Sequence, residues 1–370
     1  SYSVTGVQTC ALPICAGMTL GERMKQRREI LGLSLRALAE KVGVSHTTIS
    51  KFEKNELVPD SKHLIRLSES LQIPIAALLR PRSQRVELKC FAFRTRKLKK
   101  REEKQINEET KEWLERYLQI EKMTESQRTF EMPEGFPRAI SSFEDVELAA
   151  EDLRIAWDLG MDPIENLTTL LEDKGIKIGI IEGIKQFDAL STEYEGDPII
   201  VVKDGLPRAR QRFSLMHEVG HYLLEGEDGL DEEKVMHRFA GAFLVPAKRV
   251  LFELSEKRQK ISTKELLLLK EKYGLSMGAW VFRAKDLGII TDEEFLSIRK
   301  FFSKQGWNTQ EPGDDVQGER PIHMNAVVLK AHAEGIISTS KAAELLNQSI
   351  ATFCSLEGDS DFESSPLVCG

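Results

Sequence analysis

The sequence predicts an α+β multidomain protein, in which an all-helical head is followed by an α+β domain with a small sheet and then by a C-terminal helical hairpin. Three observations predict this organisation. The chain has 370 residues, whereas single cores seldom grow beyond about 250–300 residues. Apolar residues recur at helical spacing over residues 18–80, and β-branched runs lie between residues 176 and 202. Residues 18–104 carry 21 Lys and Arg against 10 Asp and Glu, although the net charge of the whole chain is −7.

Composition excludes several protein classes. The 41% apolar content is ordinary for globular proteins, and no apolar run has the ~20 residues of a membrane span, so we expect no membrane partner. The five cysteines form no CxxC pair. A disulfide framework and a thiolate zinc finger are therefore disfavoured, and we expect the protein to be cytoplasmic.

Residues 1–17 differ from the rest of the chain because they carry no charge. A secretory signal needs a basic start and a longer apolar core, which this segment lacks. It resembles a translated cloning fragment, and we expect a non-native leader followed by the true start at Met18.

The head, residues 18–80, reads as five short helices. Ser34 can cap a helix that ends at Gly43, and Ser45 opens another helix two residues later. Two short helices joined by a tight turn with glycine predict a helix-turn-helix. The spacing of Leu38, Gly43, Ile49 and Glu53 resembles that of the Cro-like, Xre-type family, although that family often has glutamine where this chain has Leu35.

The resemblance implies that the second motif helix enters the major groove of double-stranded DNA. The residues that it would present to DNA are Ser45, His46, Thr47, Thr48 and Lys51. Hydroxyls and cations suit phosphates and base edges, and the basic charge of the head suits a polyanion. The alternative is a helix-turn-helix that docks another protein.

A basic helical linker is predicted for residues 81–135. Residues 82–93 alternate enough to form one extended segment, and a helical pattern follows from Thr95 to about Met123. This helix is either a spacer or a dimerising element, so a homodimer is one possible state of the chain. The Pro- and Gly-containing run at 132–137 marks the next boundary.

The α+β domain, residues 136–305, contains the chemical signal. Strand-like runs at 176–181, 187–192 and 199–202 precede a long helix that carries His217, Glu218 and His221 in an HExxH pattern. Histidines four residues apart project from one helical face and are able to share a zinc ion. The intervening glutamate is placed to take a proton from the attacking water and to pass it to the leaving amine.

Two histidines do not complete a catalytic zinc site, so a third ligand is required. The candidates downstream are Asp231, Glu232, Glu233 and His237, all on or near the next helix. Its apolar stripe allows either Glu232 or Glu233 to face inward, and periodicity does not choose between them. For the oxyanion stabiliser, the residues to test are Tyr222, His237 and Arg212.

A family resemblance narrows these alternatives. The HExxH run together with residues 233–246 resembles the ImmA/IrrE metallopeptidases, and the similarity extends over roughly residues 146–300. The resemblance implies zinc as cofactor and Glu233 as the third ligand. It places His237 where the family has asparagine, aspartate or histidine, which makes this residue a support for a ligand or an alternative ligand.

The same resemblance implies a site-specific endopeptidase that cleaves a transcriptional repressor and so switches gene expression. The substrate would be this chain, a sister copy or a partner. The strand at 199–202 is either an edge on which an extended substrate adds or a plain strand of the sheet interior. The alternative function is a transcription factor or antitoxin-like regulator whose peptidase-like domain only senses or binds a partner.

The C-terminal part is predicted in three pieces. Residues 306–320 form a polar linker, residues 321–350 a helical hairpin that turns at Gly335, and residues 351–370 a disordered tail. His323 and His332 are expected to face solvent in the hairpin.

Overall fold

The computed structural model describes residues 19–73, 75–79, 86, 88, 98–227, 229–313 and 316–358. The chain divides into two compact units, which are treated separately: residues 1–86 with 331–370, and residues 87–330. The predicted leader, most of the predicted extended segment 82–93 and residues 359–370 lie outside the described residues. None of the described helices combines the length and the apolar character that crossing a membrane requires.

The described part of the head contains the five predicted helices. They are α1 (Leu20–Ile30), α2 (Leu35–Val42), α3 (His46–Glu53), α4 (Ser61–Leu71) and α5 (Ile75–Leu79). The Ser34 and Ser45 hydroxyls cap α2 and α3, and Gly43 ends α2 with φ 79°, as the sequence predicts. Leu38, Ile49 and Phe52 are buried in one small core.

Two contacts fix α3 against α1. A Cβ at Gly21 would lie 2.3 Å from the carbonyl oxygen of Phe52, so only glycine allows this close approach. Arg28 donates from Nε to Glu53 Oε1 at 2.6 Å and from Nη2 to Oε2 at 3.0 Å. A bidentate pair at a largely buried position holds the end of α3 rigidly.

The central unit contains two small sheets. The strands are β1 (Arg138–Ile140), β2 (Lys177–Ile181), β3 (Ala189–Tyr194), β4 (Asp197–Lys203) and β5 (Leu224–Gly226). β1 pairs with β5 in parallel, and the larger sheet has the order β2-β4-β3, with β2–β4 parallel and β3–β4 antiparallel. β4 is thus the central strand, so of the two alternatives for the strand at 199–202 the interior position is confirmed and the edge is wrong. Its four-residue run is wholly buried because neighbours cover both its edges and both its faces.

The helix predicted as a linker is part of the central unit. This helix, α6 (Lys100–Thr124), packs on one face of the larger sheet and buries Ile106 against Ile181 and Val201. A Cβ at Gly179 would lie only 3.0 Å from the Trp113 ring, so glycine on β2 admits the indole. The helix is therefore a structural part of the α+β domain rather than a free spacer.

The opposite face of the larger sheet carries the remaining helices of this unit. They are α7 (Phe143–Ala156), α8 (Leu167–Asp173), α9 (Arg208–Leu223), α10 (Glu232–Leu244), α11 (Ala247–Leu254), α12 (Thr263–Tyr273), α13 (Met277–Asp286) and α14 (Asp292–Gln305). α9 lies between the sheet and α10, and α10 packs in turn on α7. The main hydrophobic core fills these interfaces.

The C-terminal part contains the two predicted helices on either side of Gly335 and, after them, a third helix that was not predicted. They are α15 (His323–Ala333), α16 (Thr339–Leu345) and α17 (Ile350–Gly358). Ser349 caps α17 through the Thr352 amide at 3.0 Å, so helix occupies residues 351–358, where disorder is predicted. His332 is partly buried and contacts Thr339 and Phe353.

His323 does not face solvent, contrary to the prediction. Its side chain is 9% exposed and lies 6.0 Å from the Tyr117 ring of α6, measured between ring centroids. The Glu172 carboxylate accepts the backbone N–H groups of Ile322 and His323 and so caps α15. Burial, reinforced by the charges of Arg128 and Lys177, lowers the pKa of His323 to about 4.

Candidate metal centre

Helix α9 brings the two histidines of the HExxH run together. Leu215, Met216 and Val219 anchor the helix in the core, which leaves His217 and His221 half-buried on its other side. The two Nε2 atoms are 3.2 Å apart, and the ring planes meet at 84°. Both imidazoles therefore point their Nε2 atoms at the same small volume.

Helix α10 adds Glu233 to this pair. Asp231 caps the helix by accepting the Lys234 amide, which places Glu233 in the first turn. Its Oε2 lies 3.4 Å from His217 Nε2, and its Oε1 lies 4.0 Å from His221 Nε2. Among the described residues, these three side chains form the one group with ligand atoms mutually close enough to hold a metal ion.

The close approach of α9 and α10 depends on Gly220. A Cβ at this position would lie 2.8 Å from Met236 Sδ and 3.1 Å from the Phe239 ring. A side chain at this position would force Met236 and the Phe239 ring to shift. Glycine one residue before His221 thus lets α10 bring its glutamate within reach of the histidines.

The three donors fit a zinc ion. Bond lengths of about 2.0–2.1 Å in a tetrahedral arrangement separate neighbouring ligand atoms by about 3.4 Å. His217 Nε2 lies 3.2 Å from His221 Nε2 and 3.4 Å from Glu233 Oε2, both close to this value. One ligand atom from each of the three residues can be chosen so that all three lie within 4.8 Å of one another. Two imidazoles and one carboxylate also form a known donor set for catalytic zinc.

Glu218 faces the larger sheet. Ser191, in the middle of β3, donates its hydroxyl to Glu218 Oε2 at 2.5 Å. The two residues are 27 positions apart in sequence, and no sequence motif marks Ser191. Alternation along β3 puts Ser191 on the same face as the core residue Ala189, which is the only sequence signal that was available for it.

The neighbouring glutamates of α10 contact different atoms of the centre. Glu233 approaches the Nε2 atoms, whereas Glu232 Oε1 lies 3.3 Å from His221 Nδ1, on the other side of that ring. A carboxylate at the second ring nitrogen orients a ligand histidine and raises its basicity. Periodicity left open whether Glu232 or Glu233 faces the histidines, and in the structure both do, at different ring nitrogens.

His237 lies beside the centre but outside the three-donor group. Its exposed ring packs between those of Phe213 and His217, with centroid separations of 5.7 and 4.8 Å. In this position His237 can hold the His217 ring in place.

Two of the residues considered for oxyanion stabilisation are engaged elsewhere. Arg212 is 3% exposed and pairs with Glu319, with Nη2 and Oε1 separated by 2.5 Å. Tyr222 donates its hydroxyl to the Gly196 carbonyl at 2.5 Å, and partial burial raises the pKa of this phenol. Arg212 thereby anchors the segment around Glu319, and Tyr222 ties the end of α9 to the β3–β4 turn.

In the head, the residues predicted to contact DNA lie together on α3. Ser45, His46, Thr47 and Lys51 are exposed, and Thr48 is partly buried. The Ser45 oxygen contacts the hydroxyls of Thr47 and Thr48 at 2.6 and 2.8 Å. The start of α3 is thus a solvent-facing polar surface on a rigid core.

Comparisons with known proteins match both parts of the chain. Residues 24–78 match the helix-turn-helix family, and residues 172–285 match the IrrE N-terminal-like domain. Repressor protein C2 of Salmonella phage P22 is 42% identical over 53 residues, which are 14% of this chain and 24% of that protein. The HTH-type transcriptional regulator DicA of Escherichia coli K12 is 38% identical over 55 residues, which are 15% of this chain and 41% of DicA. This chain thus spans well under half the length of either relative.

Two solved structures also match part of the chain. The P22 c2 repressor in complex with a synthetic operator is 39% identical, covers 17% of this chain and 94% of its own, and gives a TM-score of 0.17. The SinR/SinI complex is 27% identical, covers 30% of this chain and 100% of its own, and gives a TM-score of 0.19. Residues 24–78 thus form an Xre-type helix-turn-helix domain, and residues 172–285 form an IrrE/ImmA-like domain.

Proposed function

We propose that the central domain is a zinc-dependent endopeptidase and that His217, His221 and Glu233 hold the metal. The observation that carries this proposal is the convergence of one ligand atom from each residue, from two helices, to within 4.8 Å of one another, in a donor set known for catalytic zinc. A bound zinc ion would act as a Lewis acid toward the peptide carbonyl and lower the pKa of the attacking water. An intact HExxH glutamate favours catalysis over sensing alone, because metal binding does not need Glu218.

Glu218 is the general base in this proposal. Its carboxylate takes a proton from the water that attacks the scissile carbonyl and then gives that proton to the nitrogen of the leaving amine. The Ser191 hydroxyl, 2.5 Å from Oε2, restricts the rotation of this carboxylate. Ser191 is therefore a positioning residue, and Glu232 does the same for the His221 ring.

An extended substrate would lie along β3. This strand pairs with β4 on one side and forms an edge of the described sheet, and Ser191 places it next to the general base. A peptide that adds to a sheet edge gains main-chain hydrogen bonds along its length. β3 therefore takes the role that the sequence analysis gave to the strand at 199–202.

For the head we propose binding to double-stranded DNA through α3. Hydroxyl groups and Lys51 are exposed on a helix held rigidly by the Arg28–Glu53 pair, which suits a helix presented to the major groove. The Leu35 side chain packs against the core of the head rather than offering a polar contact. The resemblance of the head to phage repressors supports a repressor as the protein substrate, with a sister copy as one candidate.

The test of catalysis uses the Glu218→Gln chain in two ways. As an enzyme, it should retain about one zinc ion but cleave no candidate repressor. As a substrate for the wild type, it reports cleavage of a sister copy without self-cleavage, through a single cut seen by intact-mass analysis. If the wild type holds zinc and cuts neither this chain nor any Xre-type repressor, the endopeptidase proposal fails and the non-catalytic alternative replaces it.

DNA binding is tested by deletion of residues 18–80. The intact chain should bind operator DNA with an affinity that falls steeply with salt, and the deletion should remove this binding. Equal affinity of the two proteins would show that the head is not the DNA-binding element.

A further inference from the structure

A cavity of about 690 Å³ lies beside the metal centre within the central unit. Its walls come from α7, α9, α10, α13 and α14 and from the segment at residues 307–311. The volume falls in the range of about 300–1,000 Å³ that small-molecule sites occupy. Phe213 and His237 line the cavity on the side of His217.

Aromatic surface is available inside the cavity. Phe282 lines it and is 46% exposed. Trp307 forms a further part of the lining, and its ring is held edge-on by Phe301. A flat apolar group between these rings would cover surface that is otherwise left to water.

The lining is also cationic. Six of its residues are Lys or Arg and two are acidic. Five of the six cations pair with carboxylates: Arg210 with Asp188, Lys234 with Asp231, Arg238 and Arg283 with Glu147, and Lys285 with Asp292. The sixth cation is Arg299, which has no carboxylate within 4.0 Å among the described residues and whose guanidinium lies 5.4 Å from the centroid of Phe282.

The nearby acid Glu311 does not neutralise Arg299. Its carboxylate accepts the backbone N–H groups of Met277 and Gly278, both at 2.8 Å, and pairs with Lys270 at 3.1 Å. Glu311 therefore caps the N-terminus of α13. Arg299 remains the cation that can accept an external anion beside an exposed ring, and a planar guanidinium recognises carboxylate or phosphate well.

We propose that this cavity binds a small organic anion with a flat, apolar body. Phe282 and Trp307 contact the body, and Arg299 pairs with the anionic group. A ligand seated there also contacts the rings of Phe213 and His237, which pack toward His217. The site is separate from the zinc ligands, so binding does not depend on whether the domain cleaves peptides.

The test compares anions with their neutral analogues on the full-length chain. The probes are indole-3-acetate, benzoate and phenyl phosphate, each paired with indole-3-acetamide, benzamide or phenol, and affinity is measured by isothermal titration calorimetry. At least one anion should bind about tenfold or more tightly than its analogue, the effect of one charge-assisted hydrogen bond. Arg299→Gln should remove this preference. Lys300→Gln is the matched control, because it removes an exposed charge one residue away that does not line the cavity.

Each other outcome overturns the proposal. Equal affinity for anion and analogue, or no binding of any probe, excludes an anion site. If the preference for the anion survives Arg299→Gln and the variant unfolds thermally like the wild type, Arg299 does not bind the anion and the probes bind adventitiously. If probes bind but are displaced by the segment of a cleaved repressor, the cavity is a subsite for the peptide substrate instead.

Discussion

Helices α3 and α9 both carry short runs of polar residues, but they place them in different surroundings. On α3 the contacts of Ser45 are local, to Thr47 and Thr48 within one turn, and most of this surface is exposed. On α9 each polar residue is half-buried and meets a partner from another element: His217 meets Glu233, Glu218 meets Ser191, and His221 meets Glu232. The proposed surface for DNA is thus built from one segment of sequence, whereas the proposed metal centre is assembled by the tertiary fold. Substitutions on α9 should therefore have larger effects than substitutions on α3.

The largest effect is expected from His217→Ala. Loss of one of three protein ligands should reduce the zinc content from about one ion per chain to near zero, as measured by atomic emission after dialysis. His237→Ala is the matched control, since this histidine packs on His217 but lies outside the donor group, and support of a ligand is worth only about 10–100-fold in affinity. Zinc retained by His217→Ala, or lost equally in both variants, would contradict the ligand assignment.

A smaller effect is expected from Ser191→Ala. The hydrogen bond to an ionised carboxylate contributes about 1.5–3 kcal/mol, so kcat for repressor cleavage should fall about 10- to 100-fold with zinc content unchanged. Ser191→Thr restores a hydroxyl on a strand that tolerates β-branched residues and should recover most of the rate. An unaltered kcat in the alanine variant would show that the contact does not position Glu218.

The sequence alone predicted those features that repeat locally. The caps Ser34 and Ser45 and the turn at Gly43 defined the helix-turn-helix, and the HExxH spacing defined α9. These signals depend on residues fewer than about ten positions apart, which periodicity and capping rules describe well.

Features that depend on tertiary packing between distant elements were not predicted. Periodicity shows that α6 has an apolar face but does not identify the sheet that covers it. The run at 199–202 is continuous rather than alternating, a pattern typical of a strand buried on both faces, and that signal favoured the central position of β4. The Ser191–Glu218 contact joins residues 27 positions apart, and no local rule predicts such a pair.

The pH dependence of stability tests the lowered pKa of the buried residue His323. Because the pKa of His323 is about 4 when folded and about 6.5 when unfolded, the unfolded chain binds more protons between these values. The free energy of unfolding of the central unit should therefore fall as the pH decreases from 6.5 toward 4, by up to about 3 kcal/mol. His323→Leu should flatten this slope.

Tryptophan fluorescence in urea measures this slope selectively, since all four tryptophans lie within residues 87–330. His46→Leu on exposed α3 is the control and should leave the slope unchanged. A slope that is the same in wild type and His323→Leu would mean that other groups dominate the titration.

The smallest effect is expected on α3 itself, from Lys51→Ala. An exposed lysine that contacts one phosphate contributes little beyond the release of its counterion, so affinity for operator DNA should fall only a few-fold and the logarithmic salt slope should decrease in magnitude by about 1. Fluorescence anisotropy at several salt concentrations measures both quantities. Lys62→Ala, at an exposed position of α4, removes the same charge away from the recognition helix and should change the slope less. If both variants reduce the slope equally, attraction of the whole basic head governs binding, and α3 loses its role as the surface that contacts DNA.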